Sequence, residues 1–171
     1  PVHNGMPYLK EAVESILRQT YTDFRLLIVD DGSTDASAEY LASLTDPRIE
    51  IRHQSNMGEA ETCNRAVASV DSEFVAFLHQ DDIAMPDRLQ KQMDFMNSHP
   101  EYSFVSSNLV RFSGARDFGF YAFYRQSLDR VYSDYRSDLF GAVMPSTLLF
   151  QREAWLRSGG FRPFMIPSAD L

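Results

Sequence analysis

Two short apolar runs that each end on paired carboxylates constrain this chain more than any other feature. Leu26 to Val29 runs into Asp30-Asp31-Gly32-Ser33-Thr34-Asp35, and Phe74 to Leu78 runs into His79-Gln80-Asp81-Asp82. Both runs are strand-sized and rich in β-forming residues, so each reads as a buried strand. Helical spacing fills the intervals. Pro7 to Gln19 carries the stripe Leu9, Ala12, Val13, Ile16 and Leu17; Asp35 to Leu44 turns Tyr40, Leu41 and Leu44 inward; Gly58 to Val70 and Pro86 to Ser98 follow. Arg48 to His53 alternates Ile49 and Ile51 with polar residues, and Ser103 to Phe112 reads as another strand. Alternating strands and helices predict an α/β fold, a Rossmann-like, mostly parallel sheet flanked by helices. Ligands in such sheets bind beyond the carboxyl ends of the strands. Both carboxylate clusters are therefore expected to line one crevice.

With 171 residues the chain is expected to form one domain. Its net charge of -8, from 24 acidic and 16 basic residues, argues against nucleic acid as a partner. A small phosphate ligand remains compatible, because a cation held by carboxylates supplies positive charge. The single cysteine, Cys63, allows no internal disulfide, so a reducing, cytoplasmic setting is expected. No apolar run approaches the ~20 residues of a membrane span, and no signal peptide is recognisable. The opening Pro1-Val2-His3-Asn4-Gly5 lacks a preceding strand, and Ala169-Asp170-Leu171 carries no stop signal. A piece of a longer protein is the expectation, with any membrane association lying in other parts.

Residues 113–137 are rich in aromatics and arginines and show no assignable period. They read either as an acceptor-shaping surface or as a second small core. Ser146 to Phe150 reads as a strand, and Arg152 to Arg157 as a short helix closed by Gly159-Gly160. Met85, Met93 and Met96 are expected in the core.

Adjacent carboxylates after a buried strand crowd each other, and a hard divalent cation relieves that. Asp81 and Asp82 thus read as a Mg2+ or Mn2+ site able to hold a diphosphate. The alternative is that Asp82 caps the next helix and Asp81 is solvated. Alternation along an extended segment puts His79 and Asp81 on one face and Asp82 on the other. Asp81 is then the expected ligand and His79 a hydrogen-bonding residue. Asp30 and Asp31 suit a base imide or ribose hydroxyl, although Ser33, Thr34 and Asp35 already satisfy a turn and helix cap. Gly5, Gly32 and Gly58 lie in loops beside the expected crevice.

Taken in order, Pro1-Val2-His3-Asn4-Gly5 with Tyr8-Leu9, Ser15-Ile16-Leu17, Gln19-Thr20-Tyr21, Val29 to Asp35, Asn56, Gly58, Asn64, Ala66, Phe77 to Asp82, Pro86 and Arg88-Leu89 resemble the family 2 glycosyltransferases of the GT-A fold. Ser146-Thr147, Gly159-Gly160-Phe161 and Ala169-Asp170-Leu171 resemble that family's acceptor-side segment. The resemblance implies a nucleotide-sugar-binding half over 1–112 and an acceptor-side half over 113–171. It implies nucleotide contacts by Pro1, His3, Asp30, Asp31, Gly58, His79 and Gln80, with His3 stacking on the base and Asp31 bonding it. Asp81 matches the metal-binding aspartate of the Asp-x-Asp motif, whose first position is here His79. Asp170 matches the catalytic base, with Ala169 replacing the neighbouring glutamate.

The implied reaction is transfer from a nucleoside diphosphate sugar, with uridine the default base, to a saccharide, lipid-linked or protein acceptor. Configuration would invert, with Mn2+ or Mg2+ as cofactor and polysaccharide assembly as the analogy. Two rivals remain. A sugar nucleotidyltransferase would carry a glycine-rich basic phosphate loop, which Pro1 to Pro7 lacks. A degenerate binding module is favoured by His79 and Ala169.

Overall fold

The computed structural model describes residues 1–112, 118–119 and 144–162. Ala169, Asp170 and nearly all of the aromatic- and arginine-rich segment lie outside them. The elements follow the order read from the sequence. They are α1 (Leu9–Leu17), β1 (Leu26–Asp31), α2 (Ser37–Ala42), β2 (Ile49–Gln54), α3 (Glu59–Ser69), β3 (Phe74–Ala76) and α4 (Arg88–Ser98). Next come β4 (Phe104–Ser106), β5 (Arg111–Phe112), β6 (Phe118–Gly119), β7 (Leu148–Gln151) and α5 (Arg152–Ser158).

β1 and β2 pair in parallel, from Leu26 opposite Ile49 to Asp31 opposite Gln54. Val2 adds a parallel bridge on the other edge of β1: its N–H donates to Val29 O at 2.8 Å, and its carbonyl accepts from Asp31 N–H at 2.7 Å. A second, three-stranded sheet departs from parallel pairing. β7 lies between β3 and β4 and runs antiparallel to both. Strand-helix alternation fixes direction only where a helix carries the chain back across the sheet, and the described residues that lead into β7 form a 3-10 turn. Two further boundaries differ from expectation. The segment Ser103 to Phe112 divides into β4 and β5, the latter pairing with β6. Pro145–Thr147 forms a 3-10 turn, so β7 begins at Leu148.

Three apolar groups hold these layers together. Val2, Leu9, Val13, Ile28 and Leu41 join α1 and α2 to β1. Cys63, Val67, Phe77 and Phe150 join α3 to the second sheet, with Trp155 and Phe161 packed against them. Leu89, Met96 and Leu149 seat α4. Met93 packs against that last group, but Met85 is 69% exposed and is not a core residue. Met85 precedes α4, and its structural contact is its carbonyl, which accepts from Gln19 Nε2 at 2.7 Å.

Polar groups tie the elements as firmly as the apolar ones. Gln19 also accepts from Leu89 N–H at 2.9 Å, fixing the start of α4 against α1. The buried Arg88 guanidinium donates to the carbonyls of Phe77 (3.0 Å) and Leu148 (3.1 Å), so it pins the ends of β3 and β7. Burial lowers its pKa to about 10, against the opposing attraction of Asp82. Among the described residues, no buried side-chain nitrogen or oxygen lacks a partner.

Candidate functional site

Asp30 and Asp31 close β1, and each is bonded to the residue directly opposite on β2. Asp30 Oδ2 lies 3.0 Å from His53 Nδ1, while its Oδ1 accepts from Ser33 N–H at 3.0 Å. Burial works against the Asp30 carboxylate, but the bonds from Ser33 and His53 outweigh it and lower its pKa. Asp31 Oδ1 accepts from Gln54 Nε2 (2.7 Å) and Met57 N–H (2.9 Å); Oδ2 accepts from Gly58 N–H at 2.9 Å. A carboxylate offers about four acceptor positions, so one remains. The loop that Asp31 organises needs its glycines. Gly58 has φ +83°, and Gly32, at φ +76°, leaves only 2.9 Å between a built Cβ and Asn56 N.

The opening segment docks on this corner. Asn4, at φ +51°, accepts through Oδ1 from Thr34 N–H (2.8 Å) and Asp35 N–H (3.2 Å). Buried Gly5 donates its N–H to Ser37 Oγ at 2.9 Å. The exposed ring of His3 is held by Nδ1 against Asp31 O at 2.9 Å, with Asn56 Nδ2 beside it. Pro1 is half-buried at the start of the same segment. The Gln80 side-chain amide grips the His3 backbone from both sides, accepting from N–H at 2.8 Å and donating to O at 3.0 Å.

The second cluster is built differently from expectation. Asp82 N–H reaches back to His79 O at 3.3 Å, so residues 79–82 turn rather than extend. Alternation fails in a turn, and Asp82 comes to the same side as His79 and Asp81. One donor atom from each of the three lies within 4.8 Å of the others. That spacing and the mixture of carboxylates with an imidazole fit a single divalent cation. Nor does Asp82 cap α4, whose N-cap is Asp87. His79 Nε2 lies 2.8 Å from Glu59 Oε1, and Nδ1 lies 3.8 Å from Asp82 Oδ2. Burial opposes the imidazolium, but the Glu59 bond and the charges of Glu59, Asp82 and Asp81 outweigh it, raising the His79 pKa. The His79 main-chain N–H donates to buried Ser146 Oγ at 2.8 Å, anchoring the turn to the start of β7.

The two clusters thus belong to one closed circuit. His3 touches Asp31 with its ring and Gln80 with its backbone. Asp31 holds Gly58, and the next residue, Glu59, holds His79. Both strand ends face a common crevice through these contacts. Sequence reasoning gave no role to Asn4 or Glu59, and it set Asp82 aside in favour of Asp81. Glu59 carried a usable signal: an acid in the first turn of a crossover helix starts at the same edge as the strand ends.

Solved structures with this architecture are GT-A glycosyltransferases, and the present fold is of that class. S. aureus TarS 1-349 in complex with UDP superposes with a TM-score of 0.77 at 19% identity, covering 99% of this chain and 50% of that one. The mannosyltransferase PcManGT from Pyrobaculum calidifontis, in complex with GDP-Man and Mn2+, gives 0.69 at 22% identity, covering 95% and 46%. Residues 1–155 match glycosyl transferase family 2, and the chain belongs to that family. An uncharacterized glycosyltransferase of Rickettsia felis is 38% identical over 110 residues, covering 63% of this chain and 18% of that protein. The putative teichuronic acid biosynthesis glycosyltransferase TuaG of Bacillus subtilis is 33% identical over 118 residues, covering 67% and 47%. The chain spans less than half the length of these curated relatives. Among the described residues, no helix is long and apolar enough to cross a membrane.

Proposed function

We propose that this domain transfers a sugar from a nucleoside diphosphate donor to an acceptor hydroxyl, with Mn2+ or Mg2+ at the His79-Gln80-Asp81-Asp82 turn. The circuit joining Asp31, Gly58, Glu59, His79, Gln80 and His3 carries this reading, because it sets a base-sized edge beside a cation-sized cluster. In this reading 1–112 form the nucleotide-sugar half and 113–171 the acceptor half. The nucleotide lies along Pro1, His3, Asp30, Asp31 and Gly58, with His79 and Gln80 bounding its diphosphate end. The exposed His3 ring stacks on the base, and Asp31 offers its remaining acceptor position. Asp81 is a cation ligand.

A cation held by Asp81 and its neighbours in that turn would supply positive charge to stabilise the departing diphosphate. The acceptor oxygen bonds to the anomeric carbon as the carbon–diphosphate bond breaks, and the acceptor proton passes to Asp170. One displacement inverts the configuration. Uridine is the default base; the TarS complex holds UDP and the PcManGT complex GDP-Man. The acceptor is a saccharide, a lipid-linked saccharide or a protein. The similarity to TuaG, a putative teichuronic acid biosynthesis glycosyltransferase, supports polysaccharide assembly. The site works on the cytoplasmic side, with membrane association supplied by other parts of the protein.

Diphosphate release from a panel of nucleotide sugars, assayed with Mn2+ and candidate acceptors, tests this. Asp170→Asn is expected to lower turnover by about 10²- to 10⁴-fold while leaving nucleotide affinity unchanged. Nucleotide binding without release for any donor and acceptor would instead identify a degenerate binding module.

A further inference from the structure

We propose that His79 is itself a cation ligand through Nδ1, and that Glu59 is the positioning residue that aims it. This inference rests on the donor-and-cation reading above and assigns chemistry to two residues which that reading leaves as crevice walls. The His79 ring is fixed at both ends. Its main chain is held by Ser146 Oγ at 2.8 Å, and its Nε2 by Glu59 Oε1 at 2.8 Å. With Nε2–H donated to Glu59, the Nδ1 lone pair points to the side occupied by Asp81 and Asp82. Nδ1 and Asp82 Oδ2 are 3.8 Å apart. That is too long for a hydrogen bond, yet it lies between the roughly 3.0 Å of adjacent and 4.2 Å of opposite ligands that bonds of about 2.1 Å give to one octahedral ion. Two acceptors facing each other across such a gap are stabilised by a cation between them.

A histidine whose second nitrogen donates to a carboxylate is the usual arrangement of a metal-bound imidazole. Glu59 is well placed to supply it. It is half-buried at the first position of α3, and Gly58 next to it is fixed by Asp31. Replacing an oxygen ligand by imidazole favours Mn2+ over Mg2+, because nitrogen suits the softer ion.

Pulsed electron paramagnetic resonance on the Mn2+-loaded protein with uridine diphosphate tests the ligand directly. A coordinated imidazole nitrogen modulates the Mn2+ echo. The modulation is expected in the wild type and absent in His79→Asn, with Mn2+ still retained. Glu59→Gln keeps the side-chain shape and a hydrogen-bond acceptor, and is expected to weaken Mn2+ binding about tenfold with an unchanged melting temperature. His79→Asp is expected to reduce the preference for Mn2+ over Mg2+. Mn2+ binding that needs Asp81 but shows no nitrogen modulation would overturn the inference while leaving the transferase reading intact. Modulation that survives in His79→Asn would assign the nitrogen elsewhere and also overturn it. A folded wild type that binds no Mn2+ with nucleotide present would overturn both.

Discussion

At the scale of single residues, the β1 end of the site is built from two carboxylates, Asp30 and Asp31, whose protein partners are almost complete. Asp30 has a pKa below its ordinary 3.8, because Ser33 and His53 outweigh the cost of burial. Its stabilising contribution is therefore present above that value and lost as pH falls through the lower, folded-state pKa. Asp30→Asn is expected to be less stable than wild type at pH 7, with the gap narrowing below about pH 4; urea melts across that range measure it. Cys63 illustrates the opposite case. Burial pushes its thiol up to about 11, so a thiol reagent at pH 8 should label it only when the structure opens, at a rate that rises with added denaturant. Residue types at the strand ends were legible in the sequence, but the directions of their side chains were not. The alternation that set Asp82 apart from Asp81 presumes an extended chain, and the bond from Asp82 N–H to His79 O makes a turn. Gln80 shows the same limit: the resemblance implied a nucleotide contact, and what the sequence did not show is that both atoms of its amide hold the His3 backbone.

At the scale of elements, the sequence pattern located every α-helix among the described residues but not the 3-10 turn at Pro145–Thr147. Their ends were harder to read, since tertiary bonds decide them. α4 starts at Arg88 rather than at Pro86, with its first turn held by Gln19, two residues beyond the end of α1. Gln19→Leu is expected to leave Leu89 N–H unpaired, to leave Met85 O with only its bond from Arg88 N–H, and to cost about 1–3 kcal/mol, read from denaturant midpoints. The direction of β7 was illegible for a separate reason: a strand's apolar pattern is the same in either direction. The glycine stop after α5 was legible, and it does more than end the helix. Gly160 sits at φ +68°, where an added Cβ would overlap Asn64 Oδ1 and come within 2.9 Å of Trp155 Nε1. The Asn64 amide clamps the Phe161 backbone at 2.8 and 2.9 Å. Gly160→Ala is expected to lower stability by about 2 kcal/mol, and Phe161 should lose its stack on Phe77.

At the scale of the whole molecule, the α/β class followed from the alternation of strands and helices, and the family from the order of many weak motifs. The contacts that weld the two strand ends together were invisible, because His3 with Gln80 and Glu59 with His79 lie far apart in sequence. The central claim is that this welded crevice takes a nucleoside diphosphate together with a cation. Calorimetric titration with uridine diphosphate, with and without Mn2+, on the wild type and on Asp81→Ala tests it most directly. The expected result is Mn2+-dependent binding to the wild type that disappears in a variant with an unchanged fold. Binding that is indifferent to Mn2+ and to Asp81, or no binding of uridine, thymidine or guanosine diphosphate by the folded wild type, would contradict it.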